Sequence, residues 1–165
     1  MKLRELVIVG SLALTVSCAW ASSALAQPAP AGFPDVVGAL RTAPGCLGVE
    51  TARTASGKRV VFAWFENKKA IVDWYYGDAH QQAMKTVFPG LPFDRRPLPD
   101  LADDSGPILA IVSVTFVEPP SPEAASMRLS SLAIELYGPL PGGVAVGARF
   151  APDALKVRGF RTFEP

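Results

Sequence analysis

The chain has 165 residues, of which 49% are hydrophobic and 19% are charged, and its formal net charge is +1. This length suits one domain with one hydrophobic core. The near-neutral charge, with no basic stripe interleaved with aromatic residues, argues against nucleic acid as a partner.

The first residues have the pattern of a targeting segment. Lys2 and Arg4 precede an apolar run over residues 7–20, and Ala24-Leu25-Ala26 resembles a cleavage site with small residues. These features predict a signal peptide over residues 1–26, a linker over 27–32 and a single α+β domain over 33–165, exported to the periplasm or secreted. The alternative is a lipoprotein anchored at Cys18, which ends a weak lipobox. No integral membrane span is expected after cleavage, because the apolar run is shorter than the roughly 20 residues that cross a bilayer.

The secondary structure is predicted from hydrophobic periodicity and turn residues. The expected elements are a helix over residues 34–42, strands over 46–53 and 59–65, helices over about 68–76 and 79–88, and strands over 108–117, 127–137 and 144–150. The turn at residues 55–58 contains a glycine and predicts an antiparallel hairpin. The long apolar run over residues 108–117 predicts a central strand that is buried on both faces.

A slip in helical phase divides the two middle helices. Ile71 and Trp74 share one face, whereas Met84 falls on nearly the opposite face of a continuous helix. A break is therefore expected, with Gly77 in the left-handed conformation and Asp78 as the cap of the second helix.

The order of the elements predicts an α+β fold with a ferredoxin-like antiparallel sheet and helices on one face. The order αββαββ corresponds to the ferredoxin-like βαββαβ pattern with its first strand moved to the C-terminus. This permuted version requires the strand over residues 144–150 to lie beside residues 132–137.

Three short motifs carry a family resemblance: PGCLGVE at residues 44–50, VVFAWFENKKAIVDW at 60–74 and GDAHQQ at 77–82. They resemble the antibiotic-biosynthesis monooxygenase-like group of the dimeric α/β-barrel superfamily, over about residues 33–88. The resemblance implies a homodimer that pairs two sheets face to face and buries strand faces such as residues 108–117. The family includes cofactor-independent oxygenases and haem-degrading enzymes. In the haem-degrading members an Asn, a Trp and a His bind the haem, and Asn67, Trp74 and His80 would correspond to them.

The candidate site lies around His80, the only histidine of the chain. A histidine can be a base, a ligand or a pH switch, and Asp73 is placed by helical phase to orient its imidazole. Trp64, Trp74 and Tyr76 would line a pocket between the sheet and the helices for a flat apolar molecule. The alternatives are core packing for Trp74 and a plain helix-start position for His80.

Two functions remain open at this stage. The first is an exported protein that binds a small apolar or aromatic molecule, as a cofactor-independent oxygenase or a haem-binding protein. The second is a non-catalytic exported dimeric interaction module. The residues themselves assign no cofactor, since haem enters only through the resemblance. A site with several histidines from one chain is excluded, because His80 has no second histidine beside it.

Overall fold

A computed structural model describes residues 34–90, 96–117 and 128–165. Its elements in chain order are α1 (Val36–Arg41), β1 (Cys46–Arg53), β2 (Arg59–Phe65), α2 (Lys68–Tyr76), α3 (Asp78–Val87), β3 (Ile108–Val117), β4 (Arg128–Tyr137), β5 (Val144–Val146) and β6 (Arg161–Phe163). The predicted signal peptide, the linker and Cys18 lie outside the described residues. Among the described residues, no helix is long and apolar enough to span a membrane.

The main sheet has four antiparallel strands in the order β1-β2-β3-β4. The first hairpin turns at Gly57, whose φ of 85° is a conformation that glycine adopts without steric cost. Thr54 N–H donates to the Lys58 carbonyl at 2.9 Å and closes this turn. The α+β class, the antiparallel sheet and the interior position of β3 are confirmed. The predicted burial of β3 on both faces is wrong, because only Ile108, Ala110 and Val114 are buried and its other residues are partly or fully exposed.

The helices cover one face of this sheet, called here the helix-covered face. Ala63 and Phe65 of β2 and Ile108 and Ala110 of β3 point to it and form the hydrophobic core with residues of the first two helices. The helix residues buried in this core are Leu40, Ala70 and Ile71. Because side chains alternate along a strand, Phe62 and Trp64 point to the other side, called the opposite face.

Helix α2 begins as its sequence indicates. The Asn67 side-chain oxygen accepts a hydrogen bond from the Ala70 N–H at 2.9 Å, so Asn67 is the N-cap. The break after this helix is also present, but its predicted chemistry is wrong. Gly77 is extended, with φ −67° and ψ 148°, and Asp78 is the first residue of α3 rather than its cap. The chain separates the two helices by one extended residue, so a left-handed turn is not needed.

The C-terminal segment does not adopt the permuted arrangement that the order of the elements predicted. The predicted strand over residues 144–150 is only Val144–Val146, and it pairs in parallel with β6 in a separate two-stranded sheet. It does not lie beside β4. Gly147, with φ 71°, ends the strand. The version in which residues 144–150 complete the main sheet is therefore wrong.

A buried lysine attaches the connector between α3 and β3 to the start of α2. Lys68 is only 2% exposed, and its ammonium group donates to the Leu101 carbonyl and lies 3.0 Å from the Asp103 carboxylate. The backbone N–H groups of Lys68 and Lys69 donate to the carbonyls of Ser105 and Asp103 at 2.7 and 3.0 Å. The connector thus satisfies two of the first-turn N–H groups of α2, which have no partner within the helix, and Asn67 satisfies a third.

Candidate functional site

His80 lies in a small aromatic cluster beside the break between α2 and α3. Its Nδ1 is 2.9 Å from the Tyr75 carbonyl oxygen, and its ring centroid is 5.9 Å from Trp74 and 5.1 Å from Tyr75. A carbonyl oxygen only accepts, so Nδ1 carries the proton of the neutral ring. The Gln81 amide donates to the same carbonyl at 2.6 Å. These contacts close the last turn of α2 and give His80 a local structural role.

Burial lowers the pKa of His80, and the hydrogen bond to Tyr75 offsets this only in part. The neutral imidazole is therefore the form that the fold prefers at neutral pH. In the unfolded chain the same ring takes a proton near its ordinary pKa of about 6.5. The folded state then binds fewer protons than the unfolded state, and stability must fall as the pH is lowered through this range.

We expect the free energy of unfolding to decrease as the pH falls below about 7, and to level off below the folded pKa of His80. His80→Asn retains a donor for the Tyr75 carbonyl and removes the titration, so its stability should not change over this interval. Urea unfolding at a series of pH values measures both proteins. An equal slope in the two proteins would contradict this assignment, because no other histidine titrates there.

The other predicted site residues of α2 point to different surroundings. Asp73 is exposed and forms an ion pair with Lys69 at 2.5 Å. Tyr76 is exposed and contacts the Tyr75 ring edge-on at 5.0 Å. Trp74 is half-buried and packs against the core. Within the described residues no hydrogen bond or ion pair joins Asp73 to His80, so the predicted acid–base pair is not assembled.

Trp64 lies on the other side of the sheet from Trp74. It is 4% exposed and contacts Phe62, with ring centroids 6.2 Å apart, and Phe150, with centroids 5.3 Å apart. The structure therefore does not form the pocket that was predicted between the sheet and the helices from Trp64, Trp74 and Tyr76. The physical reason is strand alternation: Phe65, not Trp64, is the aromatic residue that β2 directs toward the helices.

Trp64 instead forms part of an open groove between the opposite face and the C-terminal segment. The groove has a volume of about 460 Å³, and its lining comprises Gly48, Val49, Glu50, Trp64 and residues 147–153. Gly48 fits here because a Cβ at this position would come within 2.8 Å of the Pro152 side chain. The accessible aromatic surface is that of Phe150, which is 59% exposed and contacts Phe62 and Trp64 edge-on.

Arg149 holds the outer wall of this groove in place. Its guanidinium donates to the Pro152 and Leu155 carbonyls, the latter at 2.7 Å, and lies 5.2 Å from the centre of the Phe160 ring. Its Nε is 3.7 Å from the Asp153 carboxylate. Both hydrogen bonds come from Nη2, and the side chain is only 15% exposed, so Arg149 acts chiefly as an anchor for residues 149–155.

The remaining charges at the groove are acidic. Glu50 is exposed on β1, and the Asp153 side chain is fully exposed at the rim. With Arg149 the lining carries two negative charges and one positive charge. The groove thus combines an exposed aromatic ring with a net negative rim.

Metal and thiol chemistry find little support in the described residues. No group of three or more His, Cys, Asp or Glu side chains there could hold a metal ion. Cys46 is half-buried, burial raises the pKa of its thiol, and its Sγ lies 3.6 Å from the Gly48 carbonyl. A raised thiol pKa disfavours the thiolate, which is the nucleophilic form.

Sequence reasoning identified Trp64 but missed its partners in the groove. Glu50 lies far along the chain from the adjacent residues Arg149 and Phe150, and no local motif links them to it. The one available signal was the apolar spacing of the tail. The spacing of Leu155, Val157 and Phe160 predicts that the tail packs against the domain, and the structure buries Leu155 and half-buries the other two.

Comparison with known proteins adds no identification. No protein-family model, no curated protein and no solved structure matches this chain. The structure itself defines an α+β protein with a four-stranded antiparallel sheet and an open groove on the opposite face of that sheet.

Proposed function

We propose that this protein is an exported small-molecule-binding protein whose binding site is the Trp64 groove. The observation that carries the proposal is the exposed Phe150 ring, set against Phe62 and Trp64 in a groove of about 460 Å³. Ligand sites are typically concave, with apolar and aromatic walls and a few polar groups that orient the ligand. The pattern of residues 1–26 supports export.

The family resemblance supports the proposed fold, but it does not support a particular reaction. In outline, a four-stranded antiparallel sheet with helices on one face is compatible with a ferredoxin-like unit of a dimeric α/β barrel. The oxygenase proposal would place His80 beside the ligand. His80 packs on the α2–α3 break, whereas the groove lies on the opposite face, so the geometry favours binding over catalysis.

The residues do not fit a haem. Binding as in the haem-degrading members would need Asn67, Trp74 and His80 to present one surface to the porphyrin. The Asn67 oxygen caps α2 and Trp74 packs against the core, so neither side chain is presented to a porphyrin. The hydrogen bond from the His80 Nδ1 to the Tyr75 carbonyl does not itself oppose ligation, because a histidine that binds a metal through Nε2 commonly donates such a bond. No step through haem is therefore derived.

The binding site can be tested with the neutral probe 1-naphthylmethanol. We expect it to shift the indole N–H resonance of Trp64 and to leave that of Trp74 unchanged, since the two rings lie on different sides of the sheet. Phe150→Ala should weaken binding about tenfold, because an aromatic contact and its buried area contribute roughly 1 to 2 kcal/mol. His80→Ala is the control and should bind normally. A shift confined to Trp74, or normal binding by Phe150→Ala, would contradict the site.

A second candidate function is a dimeric interaction module, and one observation favours it. Within the described residues β4 pairs only with β3, so its outer edge is open along ten residues. Ile134 and Tyr137 on this strand are each 49% exposed. Long apolar edge strands are templates for pairing with another chain.

We expect a homodimer in solution if this edge pairs with a second copy. Ile134→Lys should shift the sedimentation coefficient toward the monomer, since a lysine on an edge strand disfavours pairing. Val146→Lys, at a valine that is 64% exposed in the C-terminal sheet, is the matched control and should leave the assembly unchanged. A wild-type protein that sediments as a monomer would exclude this candidate.

A further inference from the structure

The charge at the rim of the Trp64 groove indicates which ligands it selects. We infer that the groove binds an organic cation, an aromatic or alkyl ammonium compound, in preference to a neutral or anionic molecule of the same shape. This inference rests on the proposed binding function and adds the chemical class of the ligand.

The first argument is the position of Glu50. It pairs across the sheet with Phe62, so its side chain rises from the opposite face next to the aromatic cluster. Phe62 in turn pairs with Ile111, and Ile111 with Glu135. Glu50 and Glu135 therefore occupy the two edges of one row across the sheet, and only Glu50 lines the groove.

The second argument is the state of the charged groups. Among the described residues, Arg149 is the only cationic side chain that lines the groove, and it is engaged by two backbone carbonyls and by Asp153. An anionic ligand would have to compete with these partners. Asp153 is paired with Arg149, whereas Glu50 is exposed on β1, so the Glu50 carboxylate is the one available to a cation.

The third argument is the exposed ring of Phe150. A cation over an aromatic face is attracted by the ring quadrupole, and quaternary ammonium groups are recognised in this way. An ammonium head in the groove that this ring and Glu50 line would keep its charge close to water, while its apolar part fills the groove. The site needs no deep burial of charge, which would be costly.

The test compares three probes that share one ring: (1-naphthylmethyl)trimethylammonium, 1-naphthylmethanol and 1-naphthylacetate. Calorimetric titration should show the cation binding about tenfold more tightly than the neutral probe, with the anion weakest. The cation's advantage should shrink in 1 M salt, because salt screens exposed charges.

Two variants distinguish the effect of the Glu50 charge on cation binding from the effect of the protein's overall charge. Glu50→Gln should reduce the cation's advantage about threefold and leave the neutral probe unchanged. Glu135→Gln should change neither the cation's advantage nor the affinity of the neutral probe. Glu135 lies at the other edge of the same row, about 14 Å from Glu50 by strand spacing. Equal effects of the two variants would overturn the inference.

The outcomes distinguish this inference from the proposed function. Equal binding of all three probes, with the Trp64 resonance shifted, overturns the cation preference and supports the binding site. An anionic probe that binds more tightly than the cation also overturns the cation preference and supports the binding site. Failure of all three probes to shift Trp64 overturns both proposals.

Discussion

Replacing Phe65 by alanine is expected to lower the free energy of unfolding by about 3 to 5 kcal/mol. Phe65 is 1% exposed and is the largest fully buried side chain among the described residues. It lies between Cys46 and Ile108 in the sheet register and packs against the core that includes Ala70 and Ile71. Domains of this size are stable by about 5 to 15 kcal/mol, so the loss is a large fraction of the total.

Urea unfolding followed by circular dichroism measures this effect as a lower midpoint at an unchanged slope. Leu140→Ala is the control, because that leucine is 84% exposed and its truncation should change stability by less than about 0.5 kcal/mol. A Phe65→Ala midpoint equal to that of the control would mean that the core does not depend on this ring.

Replacing Lys68 by methionine is expected to lower the free energy of unfolding by about 1 to 3 kcal/mol. Methionine retains an unbranched apolar stem and fits the buried position, but it cannot donate to the Leu101 carbonyl or pair with Asp103. The connector would lose its main side-chain attachment to α2. Protease cleavage within residues 96–105 should become faster than in the wild type, because the docked connector would open more often.

Lys69→Met is the matched control for this substitution. Lys69 follows directly in the chain, but its side chain is 69% exposed and its ion pair with Asp73 lies on the helix surface. Surface ion pairs contribute little to stability. No measurable change in the unfolding midpoint is expected for this variant, and an equal loss in both variants would contradict the role of Lys68.

The effect of Lys68→Met should also depend on pH. The Lys68 ammonium, chiefly through its hydrogen bond, lowers the pKa of the Asp103 carboxyl. A depressed carboxyl pKa contributes stability above the unfolded pKa of about 3.9, and that contribution is lost as the pH falls through the folded value. The difference in stability between wild type and Lys68→Met should therefore narrow below about pH 4.

Local signals in the sequence predicted much of the main sheet and its helices. The bounds of β1, β2, α2 and β3 agree with the prediction, because each depends on periodicity, a turn or a cap within a few residues. Asn67 is an example: an N-cap acts on the N–H groups of the next turn, so its role can be read without knowing the fold.

The candidate site could not be predicted in the same way. Along β2 both sets of alternating residues are apolar and aromatic, with Phe65 on one side and Phe62 and Trp64 on the other. The pattern therefore did not show which side faces the helices, and Trp64 was assigned to the wrong one. The alternation of Val144 and Val146 likewise indicated a strand but not its partner, which is the distant β6.

The sequence by itself determined the α+β class, most element bounds and the helix break near His80, because these depend on neighbours along the chain. Only the tertiary structure decided which sheet face meets the helices, where the C-terminal segment packs, and hence that Phe150 and Glu50 join Trp64 in one groove. Such contacts depend on residues about a hundred positions apart, and their pairing is selected by the packing of the whole core rather than by any local preference.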